Sequence, residues 1–196
     1  VLDKDQVDLL IHEAETAIDP TFTVDLETLE IHRPMGNEPI TFDLDPAKTR
    51  VLNKMRLRRT PDVPAEPLRL DGEELNLARV MLAGQGCSFR MDGQTLVLEN
   101  LPEGTAPFEL EVFTTCNPEK NSKLMGLFMS GGDFFTQCEA EGFRRIPCFP
   151  DRPDVMARFT VTLEADREAC PVLLSNGNLI DQGVLPEVRH YAKWED

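Results

Sequence analysis

Apolar and polar side chains alternate with a period of two residues along most of this chain. The alternation runs through FTVDLETLEI, PITFDL, TRVLNKMRLRR, LNLARVML and FELEVFTTC, and turn residues separate these segments. A period of two predicts β-strands, because successive side chains of a strand point to opposite faces of a sheet. Fifteen prolines in 196 residues also disfavour long helices. We therefore predict a mainly β fold, an antiparallel β-sandwich or saddle-like sheet.

Two dipeptides predict tight hairpin turns. Asp92-Gly93 and Asn176-Gly177 each stand between apolar segments. These residue types tolerate the left-handed backbone conformation that two-residue hairpin turns need.

Two segments predict helices. The first is an N-terminal amphipathic helix that ends at Asp19-Pro20, and its apolar residues lie at helical spacing: Val7, Leu10, Ile11, Ala14 and Ile18. The second is a short helix near 152–158, with Asp151 as its N-cap and Pro153 in its first turn.

Composition and charge limit the classes of function. The formal net charge of −15 disfavours binding to nucleic acid or to anionic lipid. The five cysteines form no Cys-x-x-Cys pair, and no signal peptide is visible, so we expect reduced thiols and a cytoplasmic location. The hydrophobic share of 41% is enough for a sizeable core.

The histidines do not form a metal-binding motif. They are His12, His32 and His190, and no two of them are one helical turn apart. We expect no metal or other cofactor in this chain.

Residues 136–159, TQCEAEGFRRIPCFPDRPDVMARF, hold the densest cluster of polar functional groups. Gln137 and Glu139 alternate with Cys138, so on an extended segment they point to one side and Cys138 to the other. The side with Gln137 and Glu139 would be rich in hydrogen-bond acceptors and suited to a cation or an amine.

This segment resembles the N-terminal domain of the bacterial aminopeptidase N family of zinc aminopeptidases. The resemblance also includes TFDLDPAKTRV, LRLDGEEL, LVLENLPEG, KNSKLMGLFMSGG, LLSNGNLIDQG and HYAKWED, in that order, over roughly residues 41–196. It implies that Gln137 and Glu139 bind the α-amino group of a peptide substrate. It also implies that the zinc site, a His-Glu-x-x-His helix with a downstream Glu, belongs to a separate catalytic domain of the same parent protein.

Neither that zinc motif nor the family's Gly-x-Met-Glu-Asn loop is present here. We therefore expect a non-catalytic domain, with zinc only in the full-length parent and with the catalytic domain and a peptide N-terminus as partners. Glu141 and Arg144 are expected to be structural, paired with each other.

Residues 1–40 fit this resemblance less well. They have a short, faint resemblance to the small subunit of isopropylmalate dehydratase, in the order helix, VDLE strand, turn and FDLDP. Two interpretations stay open: a lineage-specific extension, or a recombined or engineered join near Thr41.

Two other classes of function stay open for the whole chain. The first is a stand-alone β-sandwich interaction module, although one tryptophan and one tyrosine give little material for a stacking surface. The second is a cysteine nucleophile at Cys138 or Cys148, although neither has a histidine nearby in sequence.

Overall fold

The computed structural model describes residues 23–25, 30–32, 40–59, 66–155 and 157–196. The chain divides into two compact units, Val1–Asn37 and Glu38–Asp196. In the first unit, strands β1 (Thr23–Asp25) and β2 (Glu30–His32) form an antiparallel pair. The predicted N-terminal amphipathic helix lies outside the described residues.

The second unit is built on an eight-stranded sheet with the order β14-β15-β13-β3-β4-β10-β6-β7. Its strands are β3 (Ile40–Asp43), β4 (Thr49–Leu57), β6 (Asn76–Leu82), β7 (Gln85–Gly86), β10 (Phe108–Cys116), β13 (Thr160–Asp166), β14 (Asn178–Leu185) and β15 (Arg189–Glu195). Only β3 and β13 pair in parallel; the other pairs in this sheet are antiparallel. The prediction of a mainly β, largely antiparallel fold is confirmed.

Two smaller sheets complete the second unit. One has the order β5-β9-β8, with β5 (Leu68–Leu70), β8 (Arg90–Asp92) and β9 (Thr95–Leu98). The other is the hairpin of β11 (Gly126–Ser130) and β12 (Asp133–Gln137).

Alternating burial along β4 explains how the sheets stack. Thr49, Val51, Asn53 and Met55 of this strand are buried, and the residues between them are partly or fully exposed. Met55 belongs to a core cluster with Leu70, Leu96 and Leu98 of the three-stranded sheet, so this sheet packs on the β4-β10-β6 face as in a sandwich. Val51 belongs to a second cluster, formed with Leu127 of β11 and with Ile146.

The hairpin predicted at Asp92-Gly93 is confirmed. It connects β8 to β9, with Asp92 opposite Thr95, and Gly93 has a φ of +62°.

The hairpin predicted at Asn176-Gly177 is wrong. Residues 171–174 form no strand, and β14 instead turns back into β15 at Pro186-Glu187-Val188. Glu187 and Val188 have φ values of +58° and +61° there. Because these residue types rarely adopt a positive φ, the sequence carries no sign of this turn.

The short helix predicted near 152–158 is also wrong. Among the described residues of this segment, the only helix-like hydrogen bond runs from the Val155 N–H to the Arg152 carbonyl, at 3.1 Å, and it closes a single turn. The Asp151 carboxylate, predicted as the cap, accepts hydrogen bonds from Arg144 instead. Helix nucleation is unfavourable, and so short a helix gains too few hydrogen bonds to offset that free-energy cost when its N-cap side chain binds elsewhere.

A hydrogen bond from the buried Asn53 side chain connects the eight-stranded sheet to the segment after β12, and its contribution to stability can be measured. The Asn53 Nδ2 donates a hydrogen bond to the Cys148 carbonyl at 3.0 Å, and Asn53 is 1% exposed. Because Asn53→Ala removes this donor and leaves a buried carbonyl unpaired, we expect a loss of about 1–3 kcal/mol in the free energy of unfolding. Urea denaturation followed by circular dichroism measures it.

Asn100→Ala is the matched control, because Asn100 is exposed. Equal losses for the two variants would contradict a structural role for the Asn53 amide.

Candidate functional site

The candidate site begins where β12 ends. Gln137 is the last residue of β12 and is exposed, Cys138 is half-buried against the second core cluster, and Glu139 is exposed. This burial agrees with the alternation expected from the sequence. The Gln137 Nε2 donates a hydrogen bond to the Glu139 carbonyl at 3.1 Å, so the amide braces the backbone that carries the Glu139 carboxylate.

The Glu139 side chain lines a groove of about 1080 Å³. Gln137 does not line this groove. No basic side chain of the described residues forms an ion pair with Glu139. The carboxylate therefore keeps its acceptor capacity for a partner that enters the groove.

Aromatic and aliphatic side chains form the floor of the groove. Phe143 meets Phe149 and Phe159 edge to face, with ring centroids 5.1 and 5.5 Å apart. Residues of β3, β13 and β15, together with the segment 170–176, also line the groove. These parts are far apart in sequence, so sequence analysis could not have found the groove.

Arg144 connects the segment after Glu139 to Asp151 and Glu141. Its Nε lies 3.0 Å from the Asp151 carboxylate, its Nη2 donates to the Asp151 carbonyl at 2.7 Å, and its Nη1 lies 3.5 Å from Glu141. The expected Glu141–Arg144 pair is therefore confirmed. Asp151 is the stronger partner, because its carboxylate is far less exposed than that of Glu141.

Arg145 connects the same segment to the residues that precede β6. Its side chain is 9% exposed, and its guanidinium forms ion pairs with Glu73 and Glu74, which precede β6. Lys123 also pairs with Glu74, at 2.5 Å. The hydrogen bond from Lys123, followed by the bond and charge of Arg145, lowers the pKa of Glu74. This network escaped sequence analysis, because its members are up to 72 residues apart.

Backbone hydrogen bonds complete the anchoring of the site. The Asp71 N–H donates to the Phe149 carbonyl at 2.8 Å, and the Phe149 N–H donates back to the Asp71 carbonyl at 3.0 Å. The Glu73 N–H donates to the Arg144 carbonyl at 2.8 Å. Residues 144–149 are therefore fixed to the 71–73 segment at both ends.

Gly142 closes the turn that carries Glu139. Its N–H donates to the Cys138 carbonyl at 2.6 Å. A Cβ at this position would lie 2.5 Å from the Gln137 carbonyl oxygen and 2.8 Å from the Cys138 Cα. Only glycine allows this close approach without a shift of the backbone.

The described residues contain no group of three or more His, Cys, Asp or Glu side chains that could hold a metal ion. His190 is half-buried, and its Nε2 lies 2.7 Å from the Cys170 carbonyl oxygen. The family's zinc therefore does not fit the residues described here. In the same part of the chain, no helix is long and apolar enough to cross a membrane.

The cysteines lack the features of activated nucleophiles. Burial raises the pKa of Cys138 to about 11 and that of Cys148 to about 11. The nearby carboxylates of Asp151 and Asp71 add to these two shifts. Because the thiolate is the nucleophile, both environments oppose reactivity near neutral pH.

The described residues form an open, mainly β domain with an exposed carboxylate at its groove. The Peptidase M1 N-terminal domain family matches residues 37–196. The chain belongs to this family. Aminopeptidase N of Caulobacter vibrioides is 44% identical over 160 residues, which cover 80% of this chain and 18% of that protein.

Two solved structures share the fold. The structure of Legionella pneumophila aminopeptidase A in complex with aspartic acid has a TM-score of 0.71 and 30% identity, and the match covers 80% of this chain and 19% of that one. The structure of a mutant M1 zinc metallopeptidase from Deinococcus radiodurans, bound to a Tyr-Ser-Ala substrate, has a TM-score of 0.66. The match covers 80% of this chain and 37% of that one. At 15% identity the second match supports the fold alone. The chain spans about a fifth of the length of the curated relatives that it matches.

The turn at Gly142 can be tested by substitution. Because the added methyl group of Gly142→Ala must displace the Gln137 carbonyl or the Cys138 backbone, we expect a loss of about 1–3 kcal/mol in the free energy of unfolding. We also expect faster amide hydrogen exchange in residues 138–142. Gly86→Ala is the control, since a Cβ there meets nothing within 4 Å. Unchanged exchange in Gly142→Ala would contradict the close-packed turn.

Thiol alkylation tests the cysteine environments. With a pKa of about 11, the Cys138 and Cys148 thiols would be about 0.03% ionised at pH 7.5. We expect both to react with iodoacetamide at least about 100-fold more slowly than an unfolded cysteine, as measured by peptide mass spectrometry. Faster alkylation of either cysteine than of the same cysteine in urea would support a nucleophilic role instead.

Proposed function

We propose that this chain is the non-catalytic N-terminal domain of a longer zinc aminopeptidase and that it helps to recognise the free α-amino group of a peptide substrate. The observation that carries the proposal is the exposed Glu139 carboxylate, which faces a groove and has no basic partner among the described residues. Family membership supports the parent class.

Each residue has a distinct role in this proposal. Glu139 accepts hydrogen bonds from the substrate ammonium, which carries up to three N–H donors. Gln137 braces the Glu139 carbonyl through the 3.1 Å hydrogen bond. Because Gln137 does not line the groove, its amide oxygen can bind the amine directly only if the amine reaches beyond the residues that line the groove. The zinc and the hydrolytic residues belong to the rest of the parent protein, and a cytoplasmic location stays a prediction.

The carboxylate explains how such an enzyme would select chain ends. An ammonium placed beside Glu139 neutralises a charge that loses water when a peptide fills the groove. An internal peptide bond offers no positive charge, so it would leave that carboxylate desolvated and unpaired. The penalty for the wrong substrate therefore comes from the unmatched charge.

Glu139→Gln in the full-length parent tests this function. The substitution keeps the size of the side chain and removes its charge, so we expect a loss of about 2–4 kcal/mol in transition-state binding, or about 30- to 1,000-fold in kcat/KM. Hydrolysis of leucine p-nitroanilide measures it.

Glu141→Gln is the matched control, because Glu141 lies on the same segment but does not line the groove. It is expected to keep kcat/KM within about twofold, since the Glu141 side chain is 67% exposed and its ion pair with Arg144 is long, at 3.5 Å. Equal losses in Glu139→Gln and Glu141→Gln would refute the assignment.

A further inference from the structure

One face of the β11–β12 hairpin carries two aromatic side chains beside Gln137. Phe135 lies directly opposite Phe128, and Gln137 lies two residues further along β12. Because side chains alternate along a strand, these three share one face of the hairpin. The neighbouring Phe134 and Leu127 pack into the second core cluster from the other face. The hairpin therefore presents Phe135 on the same side as a residue of the candidate site.

The two phenylalanine rings support each other. Their centroids are 6.0 Å apart and their planes differ by 25°, so the rings stack. Phe128 is half-buried, whereas Phe135 is 47% exposed. Stacking on Phe128 restricts the rotamers of the Phe135 side chain and leaves almost half of its surface accessible. An aromatic ring held in this way is a pre-formed contact surface, because a ligand that binds to it orders little further side-chain motion.

Phe135 lies near the carboxylate that is proposed to bind the substrate amine. It lines the same groove as Glu139. Residues two apart on a strand are separated by about 6.6 Å between Cα atoms, and Phe135 has this spacing from Gln137, whose amide bonds to Glu139. The side chain of a peptide's first residue begins two bonds from the α-amino nitrogen. A large first side chain can therefore extend from the amine toward the Phe135 ring, whereas the methyl group of alanine is too short.

The charges of the groove disfavour an acidic side chain at this place. Its lining contains four carboxylates and one guanidinium: Asp133, Glu139, Asp151, Asp196 and Arg152. Arg152 is already paired with Asp154, at 2.9 Å. An acidic first residue would therefore meet like charges, whereas an apolar side chain would bury surface against the ring.

We propose that Phe135, supported by Phe128, is a specificity-determining residue that binds the side chain of the substrate's first residue. It favours large apolar and aromatic side chains over small and acidic ones. This inference rests on the proposed function, because the amine must bind beside Glu139 for the first side chain to reach Phe135.

Phe135→Ala in the full-length parent tests the proposal with two substrates, phenylalanine p-nitroanilide and alanine p-nitroanilide. The measured quantity is the ratio of their kcat/KM values, in which the common leaving group and the fraction of folded enzyme cancel. Loss of the ring should lower this ratio about tenfold, because kcat/KM falls for the phenylalanine substrate and stays within about twofold for the alanine substrate. Phe135→Tyr keeps the ring and should keep the ratio.

Phe89→Ala is the matched control, because Phe89 is 44% exposed and does not line the groove. It should leave the ratio at the wild-type value. Glu139→Gln should lower kcat/KM for both substrates by the same factor, since both have the same α-amino group, and should also leave the ratio unchanged. Recognition of the amine and recognition of the side chain are therefore measured separately.

Three results would overturn the proposal, and they can be distinguished. The first is an unchanged ratio in Phe135→Ala while Glu139→Gln still impairs both substrates, which would overturn this inference alone. The second is an equal fall of the ratio in Phe135→Ala and Phe89→Ala, which would show a general effect of removing an exposed ring. The third is unchanged kcat/KM in Glu139→Gln, which would overturn the proposed function and, with it, the position of the first side chain.

Discussion

The site depends on the fixation of residues 142–151 to the main body of the domain. Arg144 pairs with Asp151, and Arg145 pairs with Glu73 and Glu74. Asn53 holds the Cys148 carbonyl from the centre of the eight-stranded sheet. These contacts leave the short turn from Cys138 to Gly142 as the part that projects, and Glu139 is on it. A rigid base of this kind is what a carboxylate needs if it is to measure the position of a chain end.

The sequence predicted the strands well where burial alternates along a long segment. β4 and β10 are nine residues each and pair in one register along their whole length. A single register keeps the same set of side chains on the buried face throughout. The sequence-based prediction was wrong where a residue with a typical local role makes a different contact in the structure, or where a turn uses residue types that do not suggest it. Asp151 has the form of a helix cap but pairs with Arg144, and the β14–β15 turn uses Glu187 and Val188 in a conformation that their residue types do not suggest.

Gln137 and Glu139 were predicted as an acceptor-rich patch because they alternate with Cys138 in the chain, and the family resemblance implied their role. Their surroundings could not be predicted in the same way. The Arg145 network joins residues 71 and 72 positions apart, and the groove wall around Trp194 lies more than 50 residues from Glu139 in sequence. Only pairing of the strands brings these parts together. Local pattern therefore predicts candidate residues, and tertiary contacts determine whether they are accessible.

The most direct test of the central claim is a crystal structure of the full-length parent with a bound peptide that has a free amino terminus. We predict that a Glu139 carboxylate oxygen lies within about 3.2 Å of the α-amino nitrogen, the distance of a charge-assisted hydrogen bond. An α-amino group bound elsewhere, with Glu139 paired to a basic side chain of the parent, would contradict the account.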